Sequence, residues 1–302
     1  MSLIEISGLK KKIQGTDIIK GLDFKLEKGK CIALLGPNGA GKTTTLQMLS
    51  GLMKPTEGTI IFAEAKNKGD FRHLIGYLPQ YPVFYEWMSG FEFLVYVGKL
   101  AGLRTKEAKE RALELLKNVG INDAKNRKIG KYSGGMKQRL GIAQALIHRP
   151  QLIMLDEPVS ALDPFGRREV LELLERLKAE TTILFSTHIL NDAQEVCDEI
   201  LFLNKGEIVE SGTMEELRDR HQQTKIDLIF RGNPDEFSTV FSNHALTKSL
   251  LIDGNRISVF VNDVEIARKT FLSLVTEKNW PLEKFEISSM KLEDVFWKVV
   301  GK

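Results

Sequence analysis

Several things are scarce in this chain, and each scarcity narrows what it can be. Cysteine occurs twice in 302 residues, at Cys31 and Cys197; neither has metal-ligand spacing, so both read as reduced core residues. Long apolar runs are missing: nothing approaches the roughly 18 residues that a membrane-spanning helix needs. The most apolar helix-like segment, Phe91 to Leu103, is interrupted by Glu92 and Lys99 and belongs in a core or against a protein partner. An excess of one charge is missing too. With 43 Lys and Arg against 40 Asp and Glu the formal net charge is +3, too mild to argue for nucleic acid or an anionic membrane. The Lys10-Lys11-Lys12 run reads as a solvated edge. No basic-then-apolar leader with a cleavage site opens the chain, so cytosolic residence is expected. No internal repeat or low-complexity tract occurs, which excludes two copies of one unit in this sequence. What remains, 42% hydrophobic and 27% charged, is enough to bury a sizeable core in two domains.

Against that background one stretch stands out: Gly36-Pro37-Asn38-Gly39-Ala40-Gly41-Lys42-Thr43-Thr44, preceded by the apolar run Cys31 to Leu35 and followed by a helix-like segment, Thr44 to Leu52. A strand, a glycine-rich loop and a helix in that order make a phosphate cradle. Glycines let backbone N–H groups converge on phosphate oxygens, and the helix offers its positive end to the anion. Lys42 adds a point charge, and the Thr43 hydroxyl is placed to ligate a Mg2+ ion bridging the terminal phosphates of a nucleotide.

Further along, Met154-Leu155-Asp156-Glu157-Pro158 closes an apolar run from Leu152, the pattern of a buried parallel strand delivering acids at its carboxyl end. Two adjacent carboxylates there waste solvation unless a cation or a proton uses them. Asp156 is expected to hold Mg2+ through water, and Glu157 to polarise the water that attacks the γ-phosphate. Just upstream, Tyr132-Ser133-Gly134-Gly135-Met136 opens a helix-like run from Lys137 to His148. Ser133 caps that helix, and its hydroxyl with the adjacent glycine N–H groups makes a second anion site.

These motifs, in this order, resemble the nucleotide-binding subunit of an ATP-binding cassette (ABC) transporter over roughly residues 1 to 220. Leu152 to Glu157 is similar to the family's Walker B strand, and Tyr132 to Met136 to its signature motif. The resemblance also gives readings to three isolated residues. Gln80, after Ile75-Gly76-Tyr77-Leu78-Pro79, matches the glutamine that senses Mg2+ and the attacking water. Asp163, in Ser160-Ala161-Leu162-Asp163, matches the D-loop that crosses a dimer interface. His188, after Thr182 to Thr187, matches the switch histidine that contacts the γ-phosphate.

The resemblance implies an α/β fold, a P-loop NTPase of the ABC type with a helical subdomain at about 81–150; beyond it, the residue pattern itself reads as a small α+β accessory domain at 225–302. The resemblance implies a homodimer, or pairing with a similar ATPase subunit, in which the phosphate loop of one subunit faces the signature motif of the other across ATP. It also implies transmembrane permease subunits, which place the chain peripherally on the inner face of the cell membrane; no nucleic acid partner is expected. Three departures stand out. Ile13 falls where the family usually has an aromatic that stacks on adenine, and Phe24 is alone among aromatics in the first thirty residues. Tyr132 and Met136 replace the usual leucine and glutamine, variants that resemble those of bacterial ABC-2 type drug and antibiotic exporters.

Between the motifs the pattern is helical from about Tyr81 to Gly130, where Thr105 can cap a segment burying Ala108, Ala112, Leu115, Leu116 and Val119, and Gly120 can end it. The aromatic stretch Pro82 to Met88 reads either as the place where a permease's coupling helix docks or as a local core cluster. After Gln222 to Thr224, a plausible linker, Ile226 to Phe230, Arg256 to Val261 and Lys284 to Ile287 read as strands and Val264 to Thr276 as a helix. The tail from Ser289 to Phe296 resembles that of exporter-type subunits. The accessory domain could stabilise the dimer, contact the permease or regulate. The competing reading is a soluble ABC ATPase that clamps a protein or nucleic-acid scaffold.

Overall fold

The computed structural model describes residues 2–63, 70–160, 162–220 and 224–289. Ala161, Gln222, Gln223 and the tail from Met290 to Phe296, all named above, lie outside the described residues. The chain divides into two compact units that meet in sequence at Met214 and Glu215.

The first unit opens with β1 (Ser2–Ile13) and β2 (Thr16–Glu27), a hairpin whose turn, Gln14-Gly15, has φ of 48° and 84°. Two positive φ values match the twist of the flanking strands. β3 (Cys31–Leu35), buried at every residue, runs into the glycine-rich loop and α1 (Lys42–Leu49). β4 (Glu57–Phe62) then returns to β1, giving a three-stranded antiparallel sheet in the order β2-β1-β4.

A mostly helical stretch follows β5 (Ile75–Leu78): α2 (Gly90–Leu100), α3 (Thr105–Asn118) and α4 (Gly134–Leu146). α2 starts with a reciprocal cap, the Ser89 hydroxyl accepting from the Glu92 N–H at 3.2 Å while Glu92 Oε2 accepts from the Ser89 N–H at 2.8 Å. The cap expected of Thr105 does not form: Arg104 is the N-cap of α3, without a side-chain hydrogen bond, and Thr105 is the first helical residue. Gly120 does close the stretch: its N–H donates to the Lys117 carbonyl at 3.1 Å, and its φ of 70° turns the next N–H, that of Ile121, back onto the Leu116 carbonyl at 2.9 Å.

β6 (Leu152–Asp156), α5 (Pro164–Leu177), β7 (Thr182–Thr187), α6 (Leu190–Val196), β8 (Glu199–Asn204) and β9 (Glu207–Thr213) complete the unit. The strands assemble as β5-β6-β7-β3-β8-β9, parallel except for β9. β3, β6 and β7 are buried at every residue because both sheet faces are covered. α5 carries Val170, Leu171, Leu174 and Leu177 on its buried side, the spacing of a helix laid on a sheet. Cys31 and Cys197 are free thiols whose Sγ atoms lie 3.8 Å apart; burial first, then the neighbouring sulfur, pushes the Cys197 thiol well above its ordinary pKa. No described helix is long and apolar enough to cross a membrane.

α7 (Met214–Arg220) leads into the second unit, where β10 (Thr224–Phe230), α8 (Asp235–Ser242), β11 (Thr247–Asp253), β12 (Arg256–Val261), α9 (Val264–Glu277) and β13 (Leu282–Ser289) form an antiparallel sheet in the order β11-β12-β10-β13 with two helices. Ile226, Leu228 and Phe230 of β10 alternate inward against Phe237, Phe241 and Phe271, with the Phe230 and Phe237 rings stacked at 4.5 Å.

Candidate functional site

Strand register builds the site. Leu35 pairs with Thr187 and Asp156 with Ser186, so β3, β7 and β6 end side by side. The glycine-rich loop, His188 and the Asp156-Glu157 pair therefore emerge at one edge of the sheet, where open α/β sheets place their ligands. A cavity of about 360 Å3 opens there, lined by Ile18, Asn38, Gly39, Gly41, Lys42, Thr43, Thr44, Gln80 and Glu157.

Two glycines of the loop answer to the chain itself. A Cβ on Gly36 would stand 2.1 Å from the Leu203 carbonyl oxygen, so the loop can leave β3 at that point only without a side chain. Gly41, at φ 106°, turns the chain into α1 beneath Ile19, whose Cδ1 would be 2.5 Å from an added Cβ. The result directs the α1 N-terminus, with Thr43 and Thr44, at the cavity. Ala40 is buried and its N–H donates to the Pro37 carbonyl at 3.2 Å. Lys42 Nζ donates to the carbonyls of Gly36 (2.9 Å) and Pro37 (3.2 Å) and stands 3.2 Å from Glu157 Oε1.

Glu157 adopts φ 50°, a left-handed conformation that is strained for a residue with a side chain. Its backbone N–H donates to Ser186 Oγ at 2.8 Å, and that hydroxyl donates to Asp156 Oδ1 at 2.6 Å, so Ser186 fastens both acids to β7. Glu157 Oε2 meets His188 Nδ1 at 2.9 Å. The other oxygen of Asp156, Oδ2, is buried without a hydrogen-bond partner among the described residues. An anionic oxygen held out of water in this way suits a hydrated divalent cation: the hydroxyl of Thr43, the amide of Gln80 and the carboxylate of Asp156 are hard oxygen donors of the kind Mg2+ takes. Tyr77, on the neighbouring strand β5, has its phenol pushed above the usual range by burial and by the charge of Asp156.

Thus Asn38, Gly39, Gly41 to Thr44, Gln80 and Glu157 share one cavity, with Asp156 and His188 joined to it through Ser186 and Glu157. Ser133, Gly134, Gly135 and Asp163 are not among its lining residues. Ser133 is the exposed N-cap of α4 and accepts from the Met136 N–H at 3.2 Å; Asp163 caps α5, accepting from the Gly166 N–H at 2.7 Å. Sequence reasoning missed two residues. Ser186 reads as one more polar position in a β-strand, although a serine aligned with the acid of an adjacent strand is a recognisable pairing once register is known. Ile18, an ordinary strand residue in the sequence, supplies apolar wall to the cavity, whereas Ile13 lies at the exposed end of β1.

A phosphate loop beside paired acids at the carboxyl edge of a parallel sheet defines a nucleotide-hydrolysing class of protein. Residues 19–160 match the model of the ABC transporter family. An uncharacterized ABC transporter ATP-binding protein of Bacillus subtilis, YxlF, is 43% identical over 298 residues, covering 99% of both chains. The bacitracin transport ATP-binding protein BcrA of Enterococcus faecalis is 34% identical, covering 99% of this chain and 96% of its own. Among solved structures, the dimeric post-hydrolysis state of the ATP-binding cassette MJ0796 bound to ADP and Pi superposes with a TM-score of 0.62 at 26% identity, over 70% of this chain and 98% of that one. The chain belongs to the ATP-binding proteins of ABC transporters and is an ATPase of that family.

Proposed function

We propose that two copies of this chain, or one copy and a similar subunit, close around two ATP molecules and use their hydrolysis to power a separate transmembrane permease that exports its cargo. The observation that carries the dimer is Gly134. A Cβ added there would meet nothing within 4 Å, its φ is not positive, and Gly135 has only Leu162 at 4.0 Å. The fold of one chain therefore gives no reason for glycine at either position. An approach from outside does: the serine and glycine N–H groups at the start of α4 are free to face a triphosphate held by another subunit.

In that reading Gly39 to Gly41, Asn38, Lys42 and Thr44 bind phosphate and Ser133 with Gly134 and Gly135 completes the mate's site. Thr43, Gln80 and Asp156 would hold Mg2+, which supplies positive charge against the terminal phosphates. Glu157 takes a proton from the attacking water, and His188, hydrogen-bonded to Glu157, fixes its carboxylate and meets the γ-phosphate. Asp163, at the cap of α5, stands at the dimer face.

The permease reading is supported by the surface beyond Gln80. Tyr81, Val83 and Trp87 are exposed, Val83 by 90% and Trp87 by 70%, while Phe84 turns inward against Phe93 with ring centroids 5.3 Å apart. The loop is thus anchored by Phe84 and by Tyr85, whose ring meets Phe93 and Tyr96, and offers Tyr81, Val83 and Trp87 outward, an apolar patch of the kind that marks a protein interface. Its backbone is tied to the approach to α4, through Ile129 N–H to the Met88 carbonyl (2.8 Å) and Gly130 N–H to the Glu86 carbonyl (3.0 Å). A push on the patch would reach Ser133. Transport is supported by the likeness to a bacitracin transport protein and export by Tyr132 and Met136, variants that resemble those of drug and antibiotic exporters; the chain would sit on the inner membrane face through the permease.

The test is in two parts. Glu157→Gln with ATP should sediment as a dimer that Gly135→Val abolishes. The wild-type protein should copurify from solubilised membranes with a multispanning protein, and Val83→Ser/Trp87→Ser should lose it. A monomer that turns over at full rate refutes the dimer, and a purely soluble complex with a protein or nucleic acid refutes the permease.

A further inference from the structure

The carboxylate of Asp192 has no solvent exposure, and Arg167 reaches it through Nε at 2.6 Å and an Nη2 contact at 2.5 Å. Asp192 is on the first turn of α6, four residues beyond His188; Arg167 is on the first turn of α5, four residues beyond Asp163. A carboxylate withdrawn from water is held there only against a strong partner, and this one spans two helices that belong to different strand ends.

What the pair holds is visible at both of its ends. Asp192 Oδ2 accepts from the Thr187 hydroxyl at 3.3 Å, and Thr187 Oγ1 in turn accepts from the Ile189 N–H at 3.0 Å, so the residues on either side of His188 are tied to this carboxylate. At the other end the Arg167 N–H donates to the Asp163 carbonyl at 2.9 Å, within the turn capped by Asp163. The Glu157–His188 contact of 2.9 Å closes the circuit. Two segments leave the sheet, one after Glu157 and one through His188, and they are joined twice: at the reacting groups and at Arg167–Asp192.

We infer that Arg167 and Asp192 are positioning residues for hydrolysis, a strut that keeps the His188 turn at hydrogen-bonding distance from Glu157 and links it to the helix capped by Asp163. Neither touches the nucleotide cavity. This inference rests on the ATPase reading. Losing the strut frees His188 to drift, and a misplacement of about 1 Å at a reacting group costs on the order of 100-fold in rate.

The experiment uses the full chain with Mg-ATP. Arg167→Ala and Asp192→Asn should each lower kcat on the order of 10- to 100-fold with KM for ATP unchanged within a factor of about two, and Arg167→Lys should recover most of the rate. In the double variant the losses should not multiply, since each change breaks the same link. Independently of turnover, the NMR signals of the His188 ring should move in Arg167→Ala and return toward wild type in Arg167→Lys. Rates unchanged in Arg167→Ala and Asp192→Asn overturn the inference. So does a loss of rate in which KM rises with the fall in kcat, or one that tracks loss of folded protein with no rescue by lysine. Should Asp192→Asn not fold, Arg167→Ala, changed at a half-exposed position, decides. A wild-type protein without turnover would overturn the ATPase reading, while the His188 signals would still decide the strut.

Discussion

Lys42 Nζ stands 3.2 Å from Glu157 Oε1, and each side chain keeps 6% of its exposure. A lysine read from the sequence as a phosphate ligand and a glutamate read as a base are therefore each other's counter-ion. Removing one charge leaves the other poorly solvated. Lys42→Met should cost about 2 kcal/mol, less than for a fully buried pair because the cavity admits water. Lys42→Met/Glu157→Gln should recover most of that loss, and thermal unfolding of the three proteins checks it. A double variant no more stable than Lys42→Met would show that the pair contributes nothing to the fold. Glu157→Gln alone should keep nucleotide binding and lose turnover by about 100-fold or more.

The glycines separate folding from chemistry. Gly36→Ala drives a methyl to 2.1 Å from a backbone oxygen of β8, where nothing flexible can yield. Overpacking of this sort costs about 3 kcal/mol, so the variant should unfold at a clearly lower temperature. Gly134→Asp should behave in the opposite way. Its site is open and an acid at a helix N-terminus is favourable, so stability should hold within about 0.5 kcal/mol. Turnover should nevertheless collapse, because the new carboxylate meets the phosphates of the facing subunit. Equal unfolding temperatures for the two variants would break this division.

Much of the cavity was legible because its residues are adjacent in sequence: the loop from Gly36 to Thr44 carries its own geometry, and Asp156 and Glu157 end an apolar run. What adjacency cannot express is register. Ser186 becomes meaningful only when β7 lies beside β6, and Ile18 only when the hairpin folds over the loop. In the second unit three strands were legible because they alternate or are rich in β-branched residues, whereas α8 and β11 were not. α8 has only Phe237 and Phe241 to mark a helical face, and β11 is an edge strand whose burial does not alternate. The cap of α3 failed for a local reason. A threonine competent to cap was present, but the chain began the helix at it rather than after it.

Adenine offers a separate test. Ile13, 39% exposed, closes β1 at the position where the resemblance to the family leads one to expect an aromatic ring. Adding the ring contributes about 0.5–1.5 kcal/mol of stacking, so Ile13→Tyr should tighten ATP binding severalfold in equilibrium titration. An unchanged or weaker dissociation constant would mean that the base lies elsewhere, and the cavity wall at Ile18 would be the next place to probe.

The second unit should respond to acid through a buried carboxylate. Asp227 is buried in the middle of β10, accepting from the Ser258 hydroxyl and from Ser288 Oγ at 2.9 Å, with Lys225 Nζ at 3.4 Å. Desolvation pushes its pKa up, but the hydrogen bonds from Ser258 and Ser288, then the charges of Lys225 and Arg256, outweigh it and hold the carboxyl below its ordinary value. The unfolded chain therefore binds this proton more readily than the folded one. The stability Asp227 contributes is complete above the ordinary carboxylate pKa of about 4 and is lost as pH falls through the lower folded value. Hydrogen-exchange protection of the β10 and β12 amides in the full chain, corrected for intrinsic rates, should decline from about pH 5 to about pH 3. In Asp227→Asn protection should start lower and decline less over the same range. If both proteins lose protection in parallel, other carboxylates govern the acid response and the buried Asp227 is not its source.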